Sequence, residues 1–138
     1  MNSRSCVILD TNELVSGLLS ELGAPGHIMD LALAGHLSLG YDERILAEYT
    51  DVLHRPELDL DAGRGDDVLR LCEMYGQRVV TEPWPLRLPD PDDEKFLAAA
   101  AALAAPLITG NLRHYPSAVR RNVEVLSPRA FLDAWPRA

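Results

Sequence analysis

Cys6-Val7-Ile8-Leu9-Asp10-Thr11-Asn12 is an apolar run that ends on a carboxylate. Four apolar residues without polar alternation predict a strand buried on both faces, the kind found in parallel sheets covered by helices on either side. Thr11-Asn12 then turns the chain into a helix carrying Leu14, Val15, Leu18 and Leu19. Asp10 is thereby placed at the carboxyl end of a strand, where open α/β sheets keep their ligands. The run alone leaves a second role open, because an aspartate there is also a good N-cap for the helix that follows.

Outward from this run, Ser20 to Gly26 is a turn-rich break, and His27 to Ala34 carries Ile28, Leu31 and Leu33 at roughly helical spacing before Gly35 stops it. His27 and His36 flank that helix with no partner at ligand spacing and are expected to be exposed or end-capping. Leu37 to Tyr41 alternates like a short strand. Pro56 to Gly65 reads as a loop, Asp66 to Tyr75 as a helix, and residues 78–80 as a strand. Glu82 to Pro89 is broken by prolines and can be neither helix nor inner strand. Pro106-Leu107-Ile108-Thr109-Gly110-Asn111 repeats the opening logic, an apolar strand delivering a polar residue at its end. Leu112 to Ser117 is a loop or a short helical turn, residues 123–126 form a last strand, and Ser127-Pro128 starts a final helix with Phe131 and Leu132. Strands alternating with helices predict one helix-covered, mainly parallel sheet, a single α/β domain over residues 1–138.

Two helices bring acids to their buried stripes. Asp42 or Glu43 opens the first, where Ile45, Leu46, Tyr49, Val52 and Leu53 make one apolar stripe bordered by Glu48. No lysine or arginine stands at 44 or 52 in the favoured order to explain Glu48 as a surface ion pair; Arg44 precedes it, the poorer orientation. Asp90-Pro91-Asp92-Asp93-Glu94-Lys95-Phe96-Leu97 opens the second. Asp90 is the expected N-cap, Pro91 sits at the first helical position, and Asp93 would be the third helical residue. Phe96, Leu97 and Ala100 follow Asp93 at three, four and seven residues, which puts this acid on the axis of the buried stripe.

With 47% hydrophobic and 25% charged residues the composition is that of an ordinary globular chain. No run is long enough for a membrane helix, since the alanine-rich 97–108 stretch is stopped by Pro106. Met1 to Ser5 contains no leader-like apolar segment, and a cytoplasmic location is the default expectation. Cys6 and Cys72 lack any metal or redox spacing and are expected to be reduced core thiols. The net charge of −8 argues against indiscriminate nucleic-acid binding, except that acids gathered around a metal also count as negative. From Pro106 onward five arginines, at 113, 120, 121, 129 and 137, face Glu124 and Asp133, a net of +3. Lys95 is the single lysine.

Asp10 and Asn111 leave strand ends on one edge of such a sheet, Asp93 starts a helix near them, and Glu48 borders a packed helix. Three carboxylates a few ångströms apart repel by roughly 4 kcal/mol per pair at 4 Å and an effective dielectric near 20. A hard divalent cation, Mg²⁺ or Mn²⁺, is the natural compensation for an all-oxygen donor set.

Five segments in order resemble the PIN-domain ribonucleases, and among them the VapC-like toxins of toxin–antitoxin pairs: Val7 to Asn12, Ile45 to Tyr49, Asp90 to Ala98, Thr109 to Pro116 and Leu126 to Leu132. The resemblance implies an α/β/α sandwich, Mg²⁺- or Mn²⁺-dependent hydrolysis of RNA, an antitoxin partner and no membrane, and leaves a homodimer open. It implies Asp10 and Asp93 as main metal ligands and Glu48 as a third ligand or the group that orients the attacking water. Asn12 matches a polar residue beside the first acid, and Thr11 would set the turn, with Asp90 and Asn111 in support. Arg113, His114, Arg120 and Arg121 are candidates for gripping the RNA backbone. Two departures stand out. Asn111 replaces a fourth aspartate common in the family, which implies a weaker second metal site, and Glu13 stands where an apolar residue is usual. The alternative reading is a binding or scaffold module that keeps the fold but no longer cuts.

Overall fold

The computed structural model describes residues 5–135. Met1 to Arg4, part of the segment read for a leader, and Arg137 of the basic tally lie outside the described residues. The sheet contains β1 (Ser5–Leu9), β2 (Leu37–Tyr41), β3 (Gln77–Arg78), β4 (Leu107–Ile108) and β5 (Val125–Leu126). All neighbours run parallel, in the order β3-β2-β1-β4-β5. The apolar run at residues 6–9 therefore lies at the centre, with Val7 and Ile8 fully buried. The chain leaves β1 toward β2 on one side and joins β4 on the other, so the β1/β4 boundary is the switch point of the sheet, the place where such folds open a ligand crevice.

Among the described residues six helices cover the sheet: α1 (Thr11–Leu19), α2 (Ala24–Leu33), α3 (Glu43–Leu53), α4 (Ala62–Tyr75), α5 (Glu94–Leu103) and α6 (Pro128–Asp133). Helix α2 packs on α1, β2 and α6, while α3, α4 and α5 pack on β2, with α5 also on β1 and β4. This is the expected α/β/α arrangement. The α1–α2 contact is close because residue 17 is glycine: a Cβ there would stand 2.5 Å from Met29 Cγ and 2.7 Å from the Pro25 carbonyl oxygen. Burying each large apolar side chain of this core contributes about 1.5–3 kcal/mol.

Several boundaries differ from the sequence reading, each for a physical reason. Strand β2 does not alternate but is buried along its whole length, since helices cover both of its faces. The strand expected at 78–80 is reduced to Gln77–Arg78, an edge pairing to β2 alone, and Val80 is 90% exposed beyond it. The last strand begins at Val125, not at 123. Helix α2 starts at Ala24 with Pro25 in its first turn, so His27 lies within it, exposed like His36. Helix α4 starts at Ala62, capped by Asp61, whose side chain accepts from the Gly63 N–H at 2.9 Å. Asp90-Pro91 opens a 3₁₀ turn over Pro91–Asp93, and α5 begins only at Glu94, which makes Asp93 its N-terminal flanking residue. Cys6 and Cys72 are free thiols, pushed up to about 11 and about 12 by burial, as suits inert core cysteines.

Candidate active site

Asp10 caps α1 and stands at the carboxyl end of β1 beside the switch point. Its Oδ1 caps α1 by accepting the Asn12 N–H at 3.2 Å, and its Oδ2 accepts from Thr109 Oγ1 at 3.2 Å and from Tyr115 OH at 2.9 Å. Its backbone N–H is held by Ile108 O at 3.1 Å, so β4 fixes the carboxylate at the switch point. Asp10 is 6% exposed. Asn12 itself is exposed, and its side chain makes no hydrogen bond among those described. Burial, followed by the charges of Asp10 and Asp93, raises the Tyr115 phenol well above its usual value. It is therefore a neutral donor to Asp10 at neutral pH.

Glu48 reaches the same corner from α3. Tyr49, its neighbour, is fully buried and donates to the Leu9 carbonyl at 2.5 Å, which ties α3 to the end of β1. The helix start is fixed by Asp42, whose Oδ1 accepts the Ile45 N–H at 2.9 Å. Both Glu48 oxygens are taken: Thr11 Oγ1 donates to Oε2, and Lys95 Nζ stands 2.8 Å from Oε1. Thr11 thus does more than set the turn. Lys95, 9% exposed, also donates to the Asp92 carbonyl at 2.5 Å and lies 4.9 Å above the Phe96 ring.

Asp93 sits within the fields of Asp10, Asp90, His114 and Lys95. Desolvation, then the negative charges of Asp10 and Asp90, push its carboxyl up to about 6, with His114 and Lys95 pulling it down. Its Oδ2 is buried and has no hydrogen-bond partner among the described residues. His114 Nδ1 approaches that oxygen at 3.2 Å, an ion-pair distance without hydrogen-bond alignment. The other ring nitrogen of His114 meets Asn111 Nδ2 at 2.9 Å, and the Asn111 N–H donates to Thr109 Oγ1 at 3.0 Å, so Asn111 addresses the acids through His114 and Thr109. Asp90 is exposed and caps the turn by accepting the Asp92 N–H at 3.0 Å.

Glu13 has a definite role: it is 8% exposed, and its Oε1 accepts the Gly110 N–H at 2.5 Å, pinning the loop after β4 to α1. A Cβ on Gly110 would stand 2.4 Å from the same oxygen, so this contact requires glycine. Arg113 is exposed in the short turn Leu112–His114. Arg120 Nε donates to the Tyr115 carbonyl at 2.6 Å and braces that segment. Arg121 is not brought to the acids. It lines a cavity of about 450 Å³ with Ala100, Ala104, Pro106 and Trp84, at the amino ends of β4 and β5. Lys95, Thr109 and Tyr115 were not singled out by sequence reasoning. The signal available for Lys95 was its being the only lysine of the chain, next to the acidic turn.

Among the described residues no three His, Cys, Asp or Glu side chains converge closely enough to hold a metal ion. The donors nearest to that role are Asp10 and Asp93, whose charges act on each other, with one buried carboxylate oxygen lacking a partner. That set suits a small hard cation, because Mg²⁺ is commonly held by one or two protein carboxylates and keeps several waters.

A family model described as PIN domain matches residues 6–113. The chain belongs to the PIN domain family. PIN domains are nucleases and generally use divalent metal ions. Among solved structures, this PIN domain is similar to a chain of VapBC2 from Rickettsia felis bound to a DNA fragment from their promoter, with a TM-score of 0.55 and 12% identity over 88% of this chain and 98% of that one. At that identity the likeness is one of fold. A comparison with curated protein sequences finds no match. No helix among the described residues is long and apolar enough to cross a membrane.

Proposed function

We propose that this PIN domain, one unit over residues 1–138, is a cytoplasmic endoribonuclease dependent on Mg²⁺ or Mn²⁺ and the toxin of a toxin–antitoxin pair. The observation that carries the reading is the buried Asp93 Oδ2, without a hydrogen bond among the described residues, beside the charge of Asp10 at the switch point of the sheet. Crowded carboxylates with an empty acceptor fit a cation-binding role better than a purely structural one. Asp10 and Asp93 would hold the ion. When bound, a divalent cation neutralises phosphate oxygens and lowers the pKa of water.

The remaining roles fall to the chain's own groups. Thr109 and Tyr115 fix the Asp10 carboxylate, while Thr11 and Lys95 hold Glu48 where it can orient a water for attack on a phosphodiester. Arg113, exposed in the turn that carries His114, is the backbone-gripping candidate on this segment. A partner segment laid into the cleft, presenting an arginine to the carboxylates, would block all of this at once. The fold likeness to a VapBC2 chain supports such an antitoxin partner.

Cleavage of an RNA pool with Mg²⁺ present tests the reading. Asp10→Asn and Asp93→Asn should each abolish it with an unchanged circular dichroism spectrum, and undiminished cleavage by either variant refutes the assignment. One observation favours the scaffold alternative, namely that Lys95 already places a positive charge on Glu48. Calorimetric titration with Mn²⁺ separates the two readings, since a scaffold gives neither heat nor a metal-dependent rise in melting temperature.

A further inference from the structure

The acid cluster carries its own cation. Lys95 is buried, and three things fix its ammonium: the Glu48 Oε1 at 2.8 Å, the Asp92 carbonyl at 2.5 Å and the Phe96 ring at 4.9 Å. A lysine that merely covered apolar surface would carry its head group into water. This one carries it inward. With Thr11 on the other oxygen, a metal at Glu48 would meet a fixed ammonium, whereas both Asp10 oxygens accept from neutral donors. Asp93 Oδ2 has no hydrogen-bond partner among the described residues, and Asp10 lies within its field.

Charge counting leads to the same division. Asp10, Asp93 and Glu48 bring three negative charges and Lys95 one positive, which leaves two, the charge of a single divalent ion. Two other acids lie outside this count: Asp90 acts on Asp93 but is exposed and screened by solvent, and Glu13 faces the loop, where it accepts the Gly110 N–H.

Building on the metal-dependent reading above, we propose that Lys95 is a positioning residue that stands in for a second metal: its ammonium holds Glu48 as an orienting group outside the coordination sphere and limits the site to one divalent cation on Asp10 and Asp93. The Glu48–Lys95 pair is electrically neutral as a unit. Removing both charges together therefore leaves the field at the metal nearly unchanged, whereas removing Lys95 alone exposes a third carboxylate.

The test is Mn²⁺ binding to the full chain at pH 7.5, followed by calorimetry and by the electron paramagnetic resonance of free Mn²⁺. The wild type and the Asp10→Asn, Lys95→Met and Glu48→Gln/Lys95→Met variants are compared. The wild type is expected to take one Mn²⁺, lost in Asp10→Asn. Lys95→Met should take two. The double variant should return to one, with an affinity within about threefold of wild type, as expected for groups that do not touch the ion. It buries no unpaired charge, so it remains decisive should Lys95→Met alone fail to fold. Two ions in the wild type, one ion in a folded Lys95→Met, or a loss of about tenfold or more in the double variant overturns the proposal and makes Glu48 a ligand or Lys95 a bystander. Those results leave the nuclease reading intact as long as Asp10→Asn abolishes binding. No Mn²⁺ uptake by the wild type overturns both.

Discussion

Glu13 and Asp93 are two acids in the same predicament with opposite outcomes. Burial comes first and the Asp10 charge follows in raising the carboxyl pKa of each. Glu13 resolves its position within the chain, since the Gly110 N–H donates to it and pulls its pKa partly back. Asp93 does not: one of its oxygens is buried without a hydrogen bond. The difference separates structure from function in a crowd of like charges. Of these two, the acid with a backbone donor builds the fold, and the one left short of a donor holds an acceptor for something that is not protein.

The largest effect expected from breaking this contrast is at Asp10, the neighbour the two acids share. Asp10→Asn removes a charge from the cation site and keeps one oxygen for Thr109 and Tyr115, but it turns an amide toward the Asn12 N–H and gives up the α1 cap, at a cost of about 0.5–2 kcal/mol. Metal-dependent RNA cleavage should fall by roughly 10³-fold or more, a loss on the scale of removing a main electrostatic stabiliser, while the melting temperature falls by no more than a few degrees. Gel assays and thermal melts on the same preparation check both halves. Next comes Glu13→Ala, which deletes the acceptor of a charge-assisted hydrogen bond and frees the loop after β4. A destabilisation of about 1–2 kcal/mol is expected in urea melts, toward the low end for a charged acceptor because exposed Gly110 can turn its N–H to water. Glu13→Gln keeps the acceptor and removes a charge facing Asp10, so it should come within about 0.5 kcal/mol of wild type. Equal losses in the two variants would show that the charge, not the hydrogen bond, matters. A smaller cost, about 1 kcal/mol, is expected for Tyr115→Phe, because Thr109 still donates to the same Asp10 oxygen.

The contrast also marks what a sequence can disclose. The centre of the sheet was legible because Val7-Ile8-Leu9 and Leu107-Ile108 are apolar without alternation, which only strands covered on both faces need to be. Asp10 and Asp93 were legible because one closes a strand and the other precedes a buried helical stripe. The edge of the sheet was not: β3 is two exposed residues, and pairing at an edge leaves no hydrophobic pattern. Glu48 was visible as an acid on the rim of a stripe, but its partner was sought among neighbours on its own helix, whereas Lys95 reaches it from α5. Glu13 looked anomalous for the same reason, since its partner is the backbone of Gly110. Arg121 shows the converse failure: one residue from Arg120, it faces a cavity at the other end of the strands. Contacts across the fold between polar groups have no period to betray them.

The smallest expected effect is the most diagnostic, because its sign is unusual. The Asp93 carboxyl is raised in the folded chain to about 6 from an ordinary value of 3.8, so between those values the folded state binds more protons than the unfolded one. Stability must therefore fall as pH rises from about 4 to 6, and the penalty is full above 6. Asp93→Asn removes it. Discounted for the solvent that reaches this partly exposed group, the variant should gain no more than about 1 kcal/mol at pH 7.5, a few degrees in melting temperature. At pH 5 the wild-type carboxyl is already largely protonated, and the gain should shrink. Millimolar Mg²⁺ should raise the wild-type melting temperature at pH 7.5, leave that of Asp93→Asn in place, and act less on the wild type at pH 5, where the ion has to displace a proton. A gain that persists unchanged at pH 5, or a Mg²⁺ shift equal in both proteins, would place the cost at this position in packing and return Asp93 to the same class as Glu13.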